Sequence, residues 1–103
     1  MIIRIKRNVE LLNIFRKYQI YIDGLLYSSI KMEETIDIEV EKGVHTVYAK
    51  QGWGRSSVIE LEINDQVTLL EVGCNVDSYS TMKLILFSTI FRNYYLWIKK
   101  VDV

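Results

Sequence analysis

The sequence predicts an all-β protein, an antiparallel β-sandwich of about seven to eight strands with one or two short helical insertions. Two observations predict it. Hydrophobic residues recur at every second position in several short runs, and these runs are rich in β-branched and aromatic residues, as a half-buried pleated sheet prefers. Turn-forming residues separate the runs at intervals of about 8–12 residues, which is typical of sandwiches and small barrels.

The clearest strands show strict alternation of apolar and polar residues. Residues 35–41 place three aliphatic side chains on one face and charged residues on the other, and residues 57–63 repeat the pattern. The runs 18–23 and 3–6 alternate in the same way. The residues predicted to face the core in the first two runs are Ile36, Ile38, Val40, Ile59, Leu61 and Ile63.

Three turns connect the predicted strands. The pair Asp23-Gly24 is a two-residue hairpin signal, and it joins strand 18–23 to a weaker strand near 25–31. Residues 41–43 turn the chain before strand 44–50, and Asn64-Asp65 turns it between strands 56–63 and 66–74. Both Gly24 and Gly43 are expected at turn positions where a Cβ would clash.

Two segments depart from this rhythm. Residues 8–16 fit either a short helix capped by Asn8 or an irregular crossover. Residues 80–92 favour a helix, with Ser80 as its cap. Tyr94–Val101 alternates again and is interpreted as a closing strand. We therefore expect one domain over 1–103, with a sandwich core over 1–77 and an apolar C-terminal segment over 78–103.

The charges cancel overall but are unevenly distributed. Thirteen basic and thirteen acidic side chains give no global field that would attract nucleic acid. Residues 1–31 carry six basic and two acidic groups, residues 32–71 carry three and nine, and residues 72–103 carry four and two. This pattern fits charge pairing between strands, or alternatively an acidic face used for a partner.

A basic cluster near the N-terminus is the one feature that a nucleic-acid interface could use. Tyr21 and Tyr27 could stack bases from a β-face, but the neutral chain lacks the expected basic groove. We therefore expect no nucleic-acid partner. The basic residues of this cluster are Arg4, Lys6, Arg7, Arg16 and Lys17.

The N-terminus has neither the long apolar region nor the small-residue cleavage site of a secretory signal. The single cysteine, Cys74, fits a reducing compartment or a buried thiol. We therefore expect a cytoplasmic location.

A family resemblance rests on turns and on the strands beside them. The residues that carry it are Tyr18–Gly24, Ile30-Lys31, Glu39–Lys50 and Trp53–Ser57. These resemble the PEGA-like group of small bacterial β-sandwich domains, which share a strand ending in Asp-Gly, a Gly-x-His turn before a long strand, and a serine-containing loop. The resemblance covers residues 18–74; it departs from the group in lacking a proline before Gly43 and in the apolar tail 82–98. It implies a sandwich with a binding or structural role and no catalytic residues.

The residues give no support for catalysis or metal binding. One histidine and one cysteine lie far apart in sequence and match no zinc spacing. His45 shares the parity of Val47 and Ala49, so we expect it to face the core with a ring nitrogen satisfied by a backbone group. Stacked sheets would leave no cavity for chemistry, and we expect no enzyme, no cofactor and no metal site.

Two surfaces are candidates for binding. Trp53 and Arg55 lie in a loop between strands and belong to residue types enriched at interaction hot spots, although a loop tryptophan also commonly packs over the sandwich end. Tyr95 and Trp97 precede two lysines at the end of the apolar tail, an arrangement found at membrane interfaces. Leu84–Ile98 is too short for a spanning helix, which needs about 20 residues.

These observations lead to two functional expectations. The first is a non-enzymatic, PEGA-like interaction module that binds a protein partner or self-associates. The alternative is a membrane-peripheral protein held by residues 82–98. If the tail is buried within one protomer, it is available neither for a protein partner nor for a membrane. An exposed apolar surface on the tail would instead mark an interface.

Overall fold

The computed structural model describes residues 1–8, 16–52, 54–74 and 96–101, and these form nine strands and no helix. The strands are β1 (Ile2–Arg7), β2 (Tyr18–Ile22), β3 (Leu25–Ile30), β4 (Thr35–Glu39), β5 (Gly43–Gln51), β6 (Gly54–Arg55), β7 (Ile59–Ile63), β8 (Val67–Cys74) and β9 (Leu96–Lys100). The all-β expectation is therefore confirmed, and the strand count is close to the prediction. Most of the helical insertions predicted over 8–16 and 80–92 lies outside the described residues.

The strands form two sheets. Sheet A has the order β4-β1-β8-β9, and sheet B has the order β3-β2-β5-β6, with β7 also pairing with β5. The expectation of a purely antiparallel sandwich is wrong at one place, because β1 and β8 pair in parallel from Ile2 opposite Val67 to Arg7 opposite Val72. The chain between these strands runs through all of sheet B, and such a long connection frees them from the antiparallel geometry of a hairpin.

The core lies between the inner faces of the two sheets and follows the predicted alternation. In β4 and the residue after it, Ile38 and Val40 are buried while Asp37 and Glu39 are exposed. The buried apolar residues are Ile3, Ile5, Tyr18, Ile20, Ile22, Ile30, Ile38, Val40, Val47, Ala49, Leu61, Ile63, Leu70, Val72, Leu96 and Ile98. Leu96 and Ile98 place β9 within this core.

Arg7 marks one end of the sandwich. It continues the inward parity of Ile3 and Ile5 and is fully buried, with 0% exposure. Its guanidinium lies 3.7 Å from the centroid of the Tyr18 ring and donates hydrogen bonds to the carbonyl oxygens of Arg16 and Ile30. Since β1 ends here and β2 begins here, we call this the Arg7 end.

The opposite end contains the turns before β3 and before β5. Asp23 and Gly24 have φ values of 52° and 81°, the positive pair that a type I′ hairpin turn requires, so the predicted hairpin is confirmed. Gly43 has a φ of 138°. A Cβ on Gly24 or Gly43 would meet no atom within 4 Å, so the expected clash is wrong and the backbone conformation is what favours glycine.

Candidate functional site

The Asp23 carboxylate is fixed by the strand beside it. Asp23 follows the last residue of β2, and its Oδ1 accepts a hydrogen bond of 2.9 Å from the backbone N–H of Thr46 on β5. The backbone N–H of Asp23 donates to the carbonyl oxygen of Thr46, also at 2.9 Å. The hairpin turn is thereby tied to β5, and the second carboxylate oxygen is left to face the neighbouring side chain.

That neighbour is His45. Its Nδ1 lies 2.7 Å from Asp23 Oδ2, and its Nε2 lies 2.7 Å from the carbonyl oxygen of Glu41. Both ring nitrogens face oxygen acceptors, and the doubly protonated imidazolium is the form that can donate to both, so these contacts favour it. The hydrogen bond to Asp23 and the one to Glu41 raise the pKa of His45, and the same His45 contact lowers the pKa of Asp23.

A β-bulge brings an aromatic side chain to the same place. The register between β2 and β3 shifts so that Leu26 lies opposite Tyr21 and Ser28 lies opposite Ile20, which leaves Tyr27 as the extra residue. Bulges re-aim side chains at sheet edges and beside binding sites. Here the Tyr27 side chain is half exposed and lines the space next to His45.

These elements enclose an open pocket of about 350 Å³. It lies between the β2–β3 hairpin of sheet B and the end of β4 in sheet A. The expectation that the sandwich leaves no cavity beside chemically active side chains is therefore wrong. Three carboxylates against one imidazolium make the pocket acidic. The lining residues are Ile22, Asp23, Tyr27, Glu39, Val40, Glu41 and His45.

The geometry limits what the pocket can do chemically. A general base needs a free ring nitrogen facing its substrate, whereas both nitrogens of His45 are engaged. The described lining residues include no serine, threonine or cysteine that His45 could activate. Among the described residues no group of three or more His, Cys, Asp or Glu side chains is arranged to hold a metal ion. The pocket is suited to binding a cationic group.

Strand β3 borders this pocket and is an edge of sheet B. Within the described residues it pairs with β2 on one side and with no strand on the other. Its first three residues are unusually exposed for their size, with Leu25 at 67%, Leu26 at 54% and Tyr27 at 53%. Unpaired backbone groups beside exposed apolar side chains are a template for strand addition.

The other described edge strands carry charges that discourage such pairing. Strand β4 has Asp37 and Glu39, β6 has Arg55, β7 has two glutamates, and β9 has Lys99 and Lys100. By contrast, β3 has the sequence LLYSSI without a charge or a proline. Charged residues and prolines are the usual protection of an edge strand, so β3 is the edge that the described sheets leave open.

The binding residues predicted from the sequence are not brought together. Arg55 lies on the outer face of sheet B, with its guanidinium 5.8 Å from the ring centroid of Tyr48. Trp97 lies on the outer face of sheet A, where its ring packs directly over Gly73. Because these faces point in opposite directions, the two residues do not form one surface. Trp53 and Tyr95 lie outside the described residues.

The basic cluster seen in the sequence is also divided by the fold. Arg7 is buried in the core, whereas Arg4 points outward and forms a salt bridge with Asp37 at 2.8 Å. This ion pair joins β1 to β4, as charge pairing between strands predicts, and it raises the pKa of Arg4 while lowering that of Asp37. Arg16 and Lys17 are exposed near the Arg7 end.

His45 has the backbone partner expected for it, the Glu41 carbonyl oxygen, but its side chain is partly exposed and lines an open pocket instead of the core. The Asp23 contact was not predicted, since it depends on how β2 and β5 are aligned. The Tyr27 bulge was also missed. The signal that could have indicated this site is the uncharged run Leu25–Ile30 directly after the Asp23-Gly24 turn, because an edge strand without charge or proline lacks the usual protection.

Comparison with protein-family models, with curated proteins and with solved structures finds no match to this chain. The described part of the chain also contains no helix with the length and apolar character needed to cross a bilayer. Functional inference therefore depends on the geometry of the pocket and of the β3 edge.

Proposed function

We propose that the protein is a non-enzymatic interaction module that accepts an extended segment of a partner as an added strand along β3. The observation that carries the proposal is the exposure of Leu25, Leu26 and Tyr27 on an uncharged edge strand. In strand addition, main-chain hydrogen bonds supply affinity and neighbouring pockets supply specificity. The acidic pocket beside Tyr27 is such a neighbouring pocket.

The engaged histidine supports a binding role over a catalytic one. Its hydrogen bonds to Asp23 and to the Glu41 carbonyl hold the β2–β3 turn against the end of β4. A preorganised turn lowers the entropy that a binding surface loses on association. The imidazolium therefore acts as a brace beside the β3 edge.

A selection experiment tests strand addition. A phage-displayed library of random peptides is selected against the wild-type protein, and bound peptides are mapped by NMR shifts of the backbone amides. We expect the selected peptides to shift the β3 amides and to lose binding to Leu26→Lys, because a lysine protects an edge strand from pairing. Val44→Lys is the matched control, since Val44 is also exposed, at 60%, but lies on β5.

Two outcomes would overturn the proposal. Selected peptides that shift residues around Trp97 or Arg55 and leave β3 unchanged would place binding elsewhere. Peptides that bind wild type and Leu26→Lys equally well would show that the β3 edge does not accept the partner.

A second candidate function is membrane association at the Arg7 end, and a topological observation favours it. The Asn8 N–H donates to the carbonyl oxygen of Val72, and Cys74 pairs with Leu96, so the described residues that flank the apolar stretches 9–15 and 75–95 lie at this end. Arg16 and Lys17 are exposed at the same end. Apolar and basic residues together are the combination that interfacial binding uses.

Vesicle flotation tests the second candidate. We expect the full chain to float with vesicles of phosphatidylcholine and phosphatidylserine, and to float less when Leu84 and Leu86 are both changed to serine. Removal of everything after Asp77 is unsuitable, because it would also delete β9 from sheet A. Equal flotation of the two proteins, or none by either, would contradict membrane association through this segment.

A further inference from the structure

We propose that the strand accepted along β3 belongs to a second copy of this chain. The two β3 strands pair antiparallel about a two-fold axis, and Lys31 of each copy lies against the acidic pocket of the other. This inference rests on the proposed function, because it names the partner of the β3 edge. It commits to a homodimer whose two halves contribute to each other's pocket.

The order of charges along the β3 segment favours this arrangement. The segment starts beside the carboxylates that line the pocket, continues through six uncharged residues, and reaches the exposed Lys31. Glu33 and Glu34 follow in the turn to β4, where the Glu34 carboxylate accepts a hydrogen bond from the Lys31 backbone N–H. An antiparallel pair reverses one copy relative to the other. Any pairing centred on the middle of β3 therefore brings Lys31 of one copy next to Asp23 and Gly24 of the other.

The pocket is complementary to that lysine. Asp23, Glu39 and Glu41 contribute three carboxylates against the single imidazolium of His45, so the pocket has an excess of negative charge. Tyr27 supplies an aromatic ring at its wall, a group that attracts an ammonium cation. Complementary charges of this kind fix the register of an interface and exclude other pairings.

Other self-pairings of the described edges are less favourable. A two-fold pairing of β4 centred on Asp37 would place that residue opposite its own copy, and a pairing of β7 centred on Leu61 would place Glu60 opposite Glu62. Like charges opposite one another destabilise a strand pair. The pairing of β3 avoids this, because its six residues are uncharged.

The exposed apolar residues of β3 favour this pairing, whereas the bulge limits its affinity. Pairing would cover Leu25 and Leu26 of both copies, which are exposed in the single chain. The bulge at Tyr27 interrupts the regular ladder, so the paired stretch is short. We therefore expect a reversible dimer with a dissociation constant on the order of micromolar, as small interfaces usually show.

Sedimentation velocity of the full chain over a wide dilution series tests the dimer. Wild type should pass from monomer to dimer with increasing concentration, and Leu26→Lys should stay monomeric. Lys31→Glu should weaken the dimer about ten-fold or more, because each substitution occurs twice and places a carboxylate against an acidic pocket. Glu39→Lys should weaken it similarly.

The charge swap is the decisive variant. In the double variant Lys31→Glu with Glu39→Lys, the opposite charges are restored across the interface, and dimerisation should recover to within a few-fold of wild type. Circular dichroism of each variant checks that the fold is retained. Val44→Lys should dimerise like wild type, since it lies away from β3.

Three results would overturn the inference, and they separate it from the proposed function. If the protein stays monomeric at every concentration and yet binds selected peptides at β3, the homodimer is ruled out while strand addition along β3 still holds. A dimer that Leu26→Lys leaves intact would remove the β3 interface altogether. If Leu26→Lys abolishes the dimer but neither Lys31→Glu nor Glu39→Lys weakens it, then Lys31 does not contact the pocket.

Discussion

At each end of the sandwich a cationic side chain links separate segments of the chain, but the two cations are different residue types. At the Arg7 end, a guanidinium donates to the carbonyl oxygens of Arg16 and Ile30. At the opposite end, the His45 imidazolium bridges Asp23 and the Glu41 carbonyl. Both cations join segments that lie far apart in sequence. They differ in burial, since Arg7 is fully enclosed while the His45 side chain is 15% exposed and beside an open pocket.

This difference gives the two cations different access to solvent. The Arg7 guanidinium is enclosed against the Tyr18 ring and two carbonyl oxygens, whereas the His45 ring lines an open pocket. A histidine can lose its proton within the physiological pH range, so the strength of the His45 brace beside the β3 edge depends on pH. The end with the open edge and pocket is thus the end whose rigidity can change.

Removal of Arg7 should have the largest effect. Arg7→Ala leaves a cavity next to Tyr18 and takes the donor from two carbonyl oxygens, so we expect a loss of about 3 kcal/mol in the free energy of unfolding. Urea denaturation measures it. Arg4→Ala is the control, because Arg4 lies on the same strand but its ion pair is exposed, and it should cost much less. Equal losses would contradict the assignment of Arg7 as the tie that holds this end.

A substitution at Gly73 should come next in size. A Cβ at Gly73 would overlap the Trp97 ring, so Gly73→Ala must displace that ring from sheet A. We expect a loss of about 2 kcal/mol in unfolding free energy, as overpacking usually causes. In a Trp97→Ala background the same change should cost little, and a double-mutant cycle measures the coupling. Additive losses would show that the ring does not pack over Gly73.

The smallest effect should be that of His45, and it should depend on pH. The pKa of His45 is raised above 6.5 in the folded protein, so its contribution is complete below that pH and is lost as the pH rises through the folded value. The pKa of Asp23 is lowered below 3.8, so its contribution is present above that pH and is lost on acidification. The brace is therefore strongest between these two values.

His45→Gln tests this dependence. The stability difference between wild type and His45→Gln should be largest near pH 5 and should shrink towards pH 9, as measured by urea denaturation at each pH. Asp23→Asn should reduce the same pH dependence, since it removes the carboxylate partner. A difference that stays constant from pH 5 to pH 9 would contradict a charged brace.

Local patterns in the sequence predicted the strands and the hairpin. Alternation identified Ile38 and Val40 as inward residues, and the Asp23-Gly24 pair identified the turn, because both signals involve only neighbouring residues. The alternation of residues 3–6, extended by one residue, would also place Arg7 inward, where the structure buries it. Arg7 was instead predicted only as part of a basic cluster that a nucleic-acid interface could use.

The pocket could not be predicted in the same way. The contact between Asp23 and His45 requires the alignment of β2 with β5, in which Ile22 lies opposite Val47. The open edge depends on the order of strands in sheet B, and alternation within a strand says nothing about its neighbours. The bulge at Tyr27 adds one residue to one strand, which no periodic pattern in β3 indicates.

The parallel pairing of β1 with β8 has a consequence for how the chain folds. Strands β2, β3, β5 and β7 of sheet B all lie within residues 18–63, so that sheet can assemble from one continuous stretch. In sheet A, β1 can meet β4 early but must wait for β8, whose first paired residue is Val67. Contacts between such distant residues slow folding. During synthesis on the ribosome, β1 thus emerges well before β8 and completes its pairing late.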